Sequence, residues 1–287
     1  MNTWKGILAE KNITPYILHL ISTNVYRFKS IVFFSFLIIV HISSYADNLG
    51  QYVNPNIGTA HCRWFFYTLA AVPFGMAKLN PSTNGHYGNK DGWEAVGYDA
   101  RHSSIEGFAN FHEFQVGGIV LAPITGKLQT IPGTLENPEE GYRSRFSRKN
   151  EYATSGFYSV LLDDYNIKAE LTATKRIGFQ RYTFPESKES HIIFDIGNKQ
   201  GESGAVKDAE VTYTADSRVE GYVITEPEYV KKYQKGASVA MFFSALLDKN
   251  RPNGEPSDTA KPMKAPNSFP VRGQVSISHF PQRPMIL

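Results

Sequence analysis

The sequence predicts an all-β protein built on one large antiparallel β-sandwich. Three observations carry this. Aromatic residues make up 13% of the chain, with 16 Tyr and 19 Phe, types that favour pleated and half-buried surfaces. Short apolar or alternating runs recur about every ten residues between Ile119 and Leu247, with turn residues between them. No amphipathic period of helical length interrupts that series.

Taken in order, residues 1–46 read as an export signal. Arg27 and Lys29 precede the apolar run Ile31–Ile42. A run of about 12 residues suits the apolar centre of a signal peptide and falls short of the roughly 20 that a membrane span needs. Ser44-Tyr45-Ala46 supplies small residues at the cleavage positions, so the mature chain is expected to begin at Asp47. The stretch before the apolar run is long for a signal. A downstream start, or retention as an anchor, is the alternative. No stable membrane association is expected after cleavage.

This segment also explains the net charge of +3. It holds Lys5, Lys11, Arg27 and Lys29 against Glu10, and the rest of the chain is balanced. A basic nucleic-acid surface needs clustered Lys and Arg on the folded body, so no nucleic-acid partner is expected. The single Cys62 excludes an intrachain disulfide, and the chain has no Cys cluster for zinc.

Residues 47–249 read as the sandwich domain. Asn54-Pro55-Asn56-Ile57-Gly58-Thr59 is turn chemistry. Arg63–Leu69 predicts a strand, followed by a turn at Pro73 and a short strand ending near Met76, because Pro73 and Gly75 break any helix. From Asn84 to Gly118 the chain is crowded with Gly, aromatics, carboxylates and His, and has neither helical nor strand period. Long irregular loops cost backbone entropy, so a compact domain that keeps one usually uses it. Trp93, Tyr98, Phe108 and Phe111 offer flat faces. Glu94, Asp99, Asn110 and His112 offer hydrogen bonds. Aromatic faces beside carboxylates suit a sugar, which has apolar C–H faces and polar hydroxyls. The alternative is an aromatic-rich loop that packs over a sandwich edge.

Strands are expected at Ile119–Ile124, Phe157–Leu162, Ile167–Thr174, Ile177–Phe184, His191–Ile196, Ala209–Thr214, Arg218–Thr225 and Ser238–Leu247. Asp163-Asp164-Tyr165-Asn166 predicts the turn of a hairpin. Residues 250–287 carry Pro every few positions, which predicts a loose tail with at most one edge strand, from a truncated or frameshifted end.

No complete catalytic motif occurs. There is no Gly-x-Ser-x-Gly elbow, no P-loop and no dinucleotide fingerprint, and His112-Glu113 lacks the second His of a zincin. His61 beside Cys62 gives a Cys/His pair by adjacency alone. Glu94, Asp99, Glu106 and Glu113 are the loop carboxylates available for acid/base work, or for orienting hydroxyls.

Several separated motifs then occur in one order: Val53–Thr59, Val72–Met76, Ser104-Ile105-Glu106-Gly107-Phe108, Tyr158–Leu162, Glu170–Thr174 and Arg176–Pro185. Together they resemble glycoside hydrolase family 92 across roughly residues 51–248. The family comprises exported, calcium-dependent, inverting exo-α-mannosidases. Its members pair an N-terminal β-sandwich with a C-terminal (α/α)6 barrel, and the mannose pocket lies where the two meet.

The resemblance implies that this chain is the sugar-facing sandwich alone. The general acid, general base and calcium ligands would come mainly from the barrel, so no catalytic residue is assigned here and the chain alone is expected to be inactive. Substrate contacts are expected from Trp93, Glu94, Asp99, His61, Cys62, Arg63 and His112. At His112–Gly117 the chain departs from the family's usual His-Leu-Ser-Gly-Thr-Gly, which marks a divergent branch. The implied ligand is a mannose-containing glycan, the implied cofactor is calcium, and the implied location is the periplasm or exterior of a Gram-negative bacterium. A non-catalytic carbohydrate-binding module, or an inactive remnant of such an enzyme, is the alternative.

Overall fold

The structure is a computed structural model. It describes residues 25, 27–33, 49–60, 70–84, 97–110, 119–197, 203–214 and 217–247, together with the backbone of strands at 263–264, 274–278 and 284–286. The chain divides into two compact units, Met1–Leu49 and Gly50–Leu287. In the first, residues 27–33 form a helix, α1, whose side chains are exposed. Among the described residues no helix is long and apolar enough to cross a membrane.

The second unit is built from antiparallel strands. One sheet orders β1 (Asn80–Ser82), β3 (Gly107–Ala109), β4 (Val120–Thr125), β10 (Ser190–Asp195) and β15 (Gln274–Ser278). A second orders β16 (Pro284–Ile286), β9 (Gly178–Thr183), β8 (Ile167–Ala173), β7 (Phe157–Leu162) and β6 (Glu151–Thr154). A third orders β13 (Val239–Leu246), β12 (Arg218–Glu226), β11 (Ala205–Tyr213) and β14 (Met263–Lys264). A two-stranded ladder joins β2 (Ser104–Ile105) to β5 (Ser144–Arg145). A short helix, α2 (Glu228–Tyr233), connects β12 to β13.

The period-two pattern of the sequence sets which faces meet. Phe108, Leu121, Ile192 and Phe194 from the first sheet, Tyr158, Val160, Leu171 and Tyr182 from the second, and Val211, Val219 and Val223 from the third form one buried cluster. Phe108 and Tyr182 link two sheets directly, with ring centroids 5.8 Å apart. Each such side chain, fully buried, contributes about 1.5–3 kcal/mol, which makes this cluster the main stabilising term. Strand β10 is buried on both faces, because Ile193 joins a second cluster with Ala122, Ile124 and Tyr142.

Two sequence expectations change. Val72–Met76 forms a turn instead of a strand. Gly75 N donates to Val72 O at 2.9 Å, Phe74 takes φ +58° fully exposed, and only Ala70 bridges to Leu79. The tail supplies three short strands rather than at most one. Each sits against one sheet: β14 on β11, β15 on β10 and β16 on β9. Edge positions tolerate the prolines that a central strand would not, and β16 takes Pro284 as its first residue.

Candidate functional site: a polar base beneath the aromatic loop

The two ends of the segment that carries Trp93 are held at one point. Strand β1 runs into Thr83 and Asn84, and the chain returns at Gly97. The amides of Thr83 and Asn84 both donate to the Gly97 carbonyl, at 2.7 and 2.9 Å, and the Thr83 hydroxyl adds a third bond at 3.1 Å. Gly97 has φ +73°, a left-handed conformation that an L side chain would strain. Asp99 N then donates to Thr83 Oγ1 at 2.9 Å.

Beneath this clasp lies a buried polar layer. Arg143 is 1% exposed and its guanidinium serves three elements at once. It pairs with Glu106 at 3.2 Å, donates to the Thr83 carbonyl and reaches Ser104 Oγ at 3.4 Å. Ser82 Oγ donates to the other Glu106 oxygen at 2.6 Å. The carboxylate of Glu106 is therefore shared between a cation and a hydroxyl, which keeps a buried charge compensated.

A second group flanks the first. Glu151 accepts from Tyr98 and Tyr158 hydroxyls at 2.8 Å each and pairs with Arg148 at 2.6 Å. Arg148 also caps the carbonyls of Asp99, Ala100 and His102, which fixes the path of the chain after the loop. Burial pushes the Tyr158 hydroxyl well above its ordinary pKa, with the Glu151 charge adding to it, so that tyrosine stays a neutral donor. His102 sits 2.9 Å from Thr83 Oγ1, and burial lowers its pKa below the ordinary histidine value.

Of the residues singled out from sequence, the structure places Asp99 at the centre of this base. It is fully buried. Its carboxylate takes two Nε contacts at 3.0 Å and an NH2 contact at 2.6 Å from Arg101. Burial alone would raise the Asp99 pKa, but the Arg101 hydrogen bonds and the nearby cationic groups bring it down to about 2. Trp93, Glu94, His61, Cys62, Arg63 and His112 lie outside the described residues. Their anchors are described. Thr59 O, just before His61, accepts from Ala100 N at 3.0 Å, so that segment also departs from the polar base.

Asn110 and Ile119, which flank His112, open onto a groove of about 660 Å³ lined by Leu121, Ile177, Phe179 and Phe243. Gln180 Nε2 donates to Asn110 Oδ1 at 2.6 Å on its wall. The groove is mainly apolar, with Asn110, Gln180, Arg218 and Ser244 as its polar side chains.

The calcium implied by the family resemblance has no candidate ligand set among the described residues. Calcium takes six to eight oxygen ligands, and among the described residues no group of three His, Cys, Asp or Glu is placed to hold a metal. The base carboxylates Asp99 and Glu106 each face an arginine.

The Asp99 pair gives a pH prediction. A carboxyl with a depressed folded pKa contributes stability above its ordinary value of 3.8, and that contribution fades as pH falls through about 2. The melting-temperature gap between wild type and Asp99→Asn should be constant from pH 7 to pH 5 and narrow between pH 4 and pH 2. A gap that stays constant across that acid window removes the ionised pair as its source.

Comparison with known proteins follows this geometry. The sequence profile described as the glycosyl hydrolase family 92 N-terminal domain matches residues 52–268. The structure resembles the family GH92 alpha-mannosidase BT3965 from Bacteroides thetaiotaomicron in complex with mannoimidazole, with TM-score 0.66 and 27% identity over 84% of this chain and 32% of that one. The same enzyme without that ligand gives TM-score 0.67 at 27% identity, with the same coverage. The family GH92 inverting mannosidase BT2199 from Bacteroides thetaiotaomicron VPI-5482 shares the fold at TM-score 0.52 and 19% identity, over 83% of this chain and 29% of that one. A search of curated proteins gave no match. This chain thus spans about a third of the length of these enzymes. The profile match covers well over half of the sequence, and the chain belongs to the glycosyl hydrolase family 92 N-terminal domain family.

Proposed function

We propose that this chain is the sugar-facing domain of an exported, inverting α-mannosidase, and that it holds a terminal mannose through the loop between Asn84 and Gly97. The family match over residues 52–268 carries this reading. The clasped loop base supports it, because binding loops need a rigid platform beneath them. Trp93 supplies the stacking face, and Glu94 a charged acceptor for hydroxyls, which is stronger than a neutral one. His61, Cys62, Arg63 and His112 are the further substrate contacts that the family resemblance implies.

Asp99 and Glu106 build the platform and do not act on the substrate. Both carboxylates are buried and paired with arginines that hold them in the loop base. In the enzyme, hydrolysis by inversion needs an acid and a base roughly 6.5–9.5 Å apart. The family resemblance assigns these, and the calcium ligands, mainly to the other domain. This chain alone then binds without hydrolysing, as a carbohydrate-binding module does. Its affinity should be weak, since contact area on one side of the sugar is missing. Calorimetric titration of the purified chain with α-mannobiose tests the proposal. Saturable heat is expected; no heat at millimolar sugar would overturn it.

A further inference from the structure

The outer face of the β11–β12–β13 sheet carries an aromatic row that the loop site does not use. Register places Glu210, Tyr222 and Phe242 side by side across the three strands. The two rings lie 6.1 Å apart and are inclined at 49° to each other. Phe242 is 74% exposed, an expensive position for a large apolar ring in water. Tyr222 is not free to swing, because its hydroxyl donates to Asp208 Oδ2 at 2.9 Å.

Hydrogen-bonding groups bracket this row. On one side Ser244 Oγ donates to Glu220 at 3.0 Å and accepts from Arg218 at 3.2 Å. On the other side stands Asp208. Glu220 and Arg218 remain substantially exposed, at 49% and 39% of their side chains. The face thus offers two neighbouring, mutually inclined rings, one of them held by a hydrogen bond, with charged acceptors along both margins. A protein partner would be met better by a continuous apolar patch. A glycan has the opposite needs: C–H faces for the rings and hydroxyl donors for the carboxylates.

We propose that Tyr222 and Phe242 form a second glycan-binding surface, separate from the Trp93 loop, that takes successive residues of a neutral polysaccharide chain. The ligand class rests on the glycan reading above; the site itself rests on this face. Its role is to keep the protein on a polymeric substrate.

The test is affinity electrophoresis of the full chain in native gels that contain yeast α-mannan, on the Trp93→Ala background so that the loop cannot contribute. Mannan should retard the Trp93→Ala protein. Adding Phe242→Ala should weaken retardation about tenfold, the scale of one lost aromatic face, with an unchanged melting temperature. Phe242→Tyr should keep it. Retardation that is the same with and without Phe242 overturns the second surface while leaving the loop reading intact. So does a sedimentation profile in which wild type is a dimer and Phe242→Ala a monomer, since the ring would then serve self-association. Loss of all retardation in Trp93→Ala alone also overturns it, because the loop would then be the sole site.

Discussion

Replacing Arg143 with methionine should destabilise the chain by about 3–5 kcal/mol, the cost of stranding a buried charge. Arg143 and Glu106 both have side chains with no exposed surface. Without the guanidinium, the Glu106 carboxylate loses its paired cation while the Ser82 hydroxyl still donates to it, and the Thr83 carbonyl loses its buried donor. The pair itself is not a large net gain, because desolvating two charges offsets most of their attraction, and Arg143 Nε remains buried without a hydrogen-bond partner. The double variant Arg143→Met with Glu106→Gln should therefore recover part of the loss by removing the uncompensated charge. Urea unfolding of wild type, single and double variants measures this. A single-variant loss under about 1 kcal/mol would mean that the cluster is hydrated and not a sealed base.

Gly107→Ala should cost about 3 kcal/mol or more, by overpacking and backbone strain together. Gly107 sits in the Ser104–Phe108 motif with φ +154°. A Cβ there would lie 2.3 Å from Val120 Cγ1 and 2.8 Å from the Leu121 carbonyl. The carbonyl is backbone and cannot rotate away, so β3 must separate from β4. Glu106, the next residue, would move with it and disturb the loop base. Gly126→Ala is the control. Gly126 has φ +81° but open space around the missing Cβ, so only backbone strain applies, about 1–2 kcal/mol. Thermal melts of the two variants should separate clearly. Equal melting temperatures would show that β3 has room to shift.

The strands were legible because the sandwich imposes a period of two. Phe157–Leu162 forms as its run and the turn cluster after it predict, and the alternating Ile167–Thr174 and the run Arg218–Thr225 differ from the observed strands by one terminal residue each. Strand β11 starts at Ala205, four residues before its expected start, because a bulge between Val206 and Asp208 breaks the alternation that reveals a strand. The tail strands were hidden by their prolines.

The polar base was not legible, for a different reason. Glu106 and Arg143 are 37 residues apart, and Tyr98 and Glu151 are 53 apart. Nothing local marks them as partners; strand register brings them together. Arg148 and Glu151, three residues apart, and Asp99 and Arg101, two apart, are the pairs of the base that are local in sequence. Asp99 was singled out as a substrate-binding carboxylate by its setting among aromatics, and the structure shows it buried in the loop base. Its neighbour two positions on, Arg101, determines that it anchors the loop.

The most direct measurement titrates α-mannobiose against wild type and Trp93→Ala, with melting curves run in parallel. If the anchored loop holds the sugar, Trp93→Ala loses most of the affinity and melts at the wild-type temperature. Equal affinity in the two proteins, or a mutant destabilised by the 3–5 kcal/mol or so that losing a buried aromatic costs, would contradict the loop as the sugar platform.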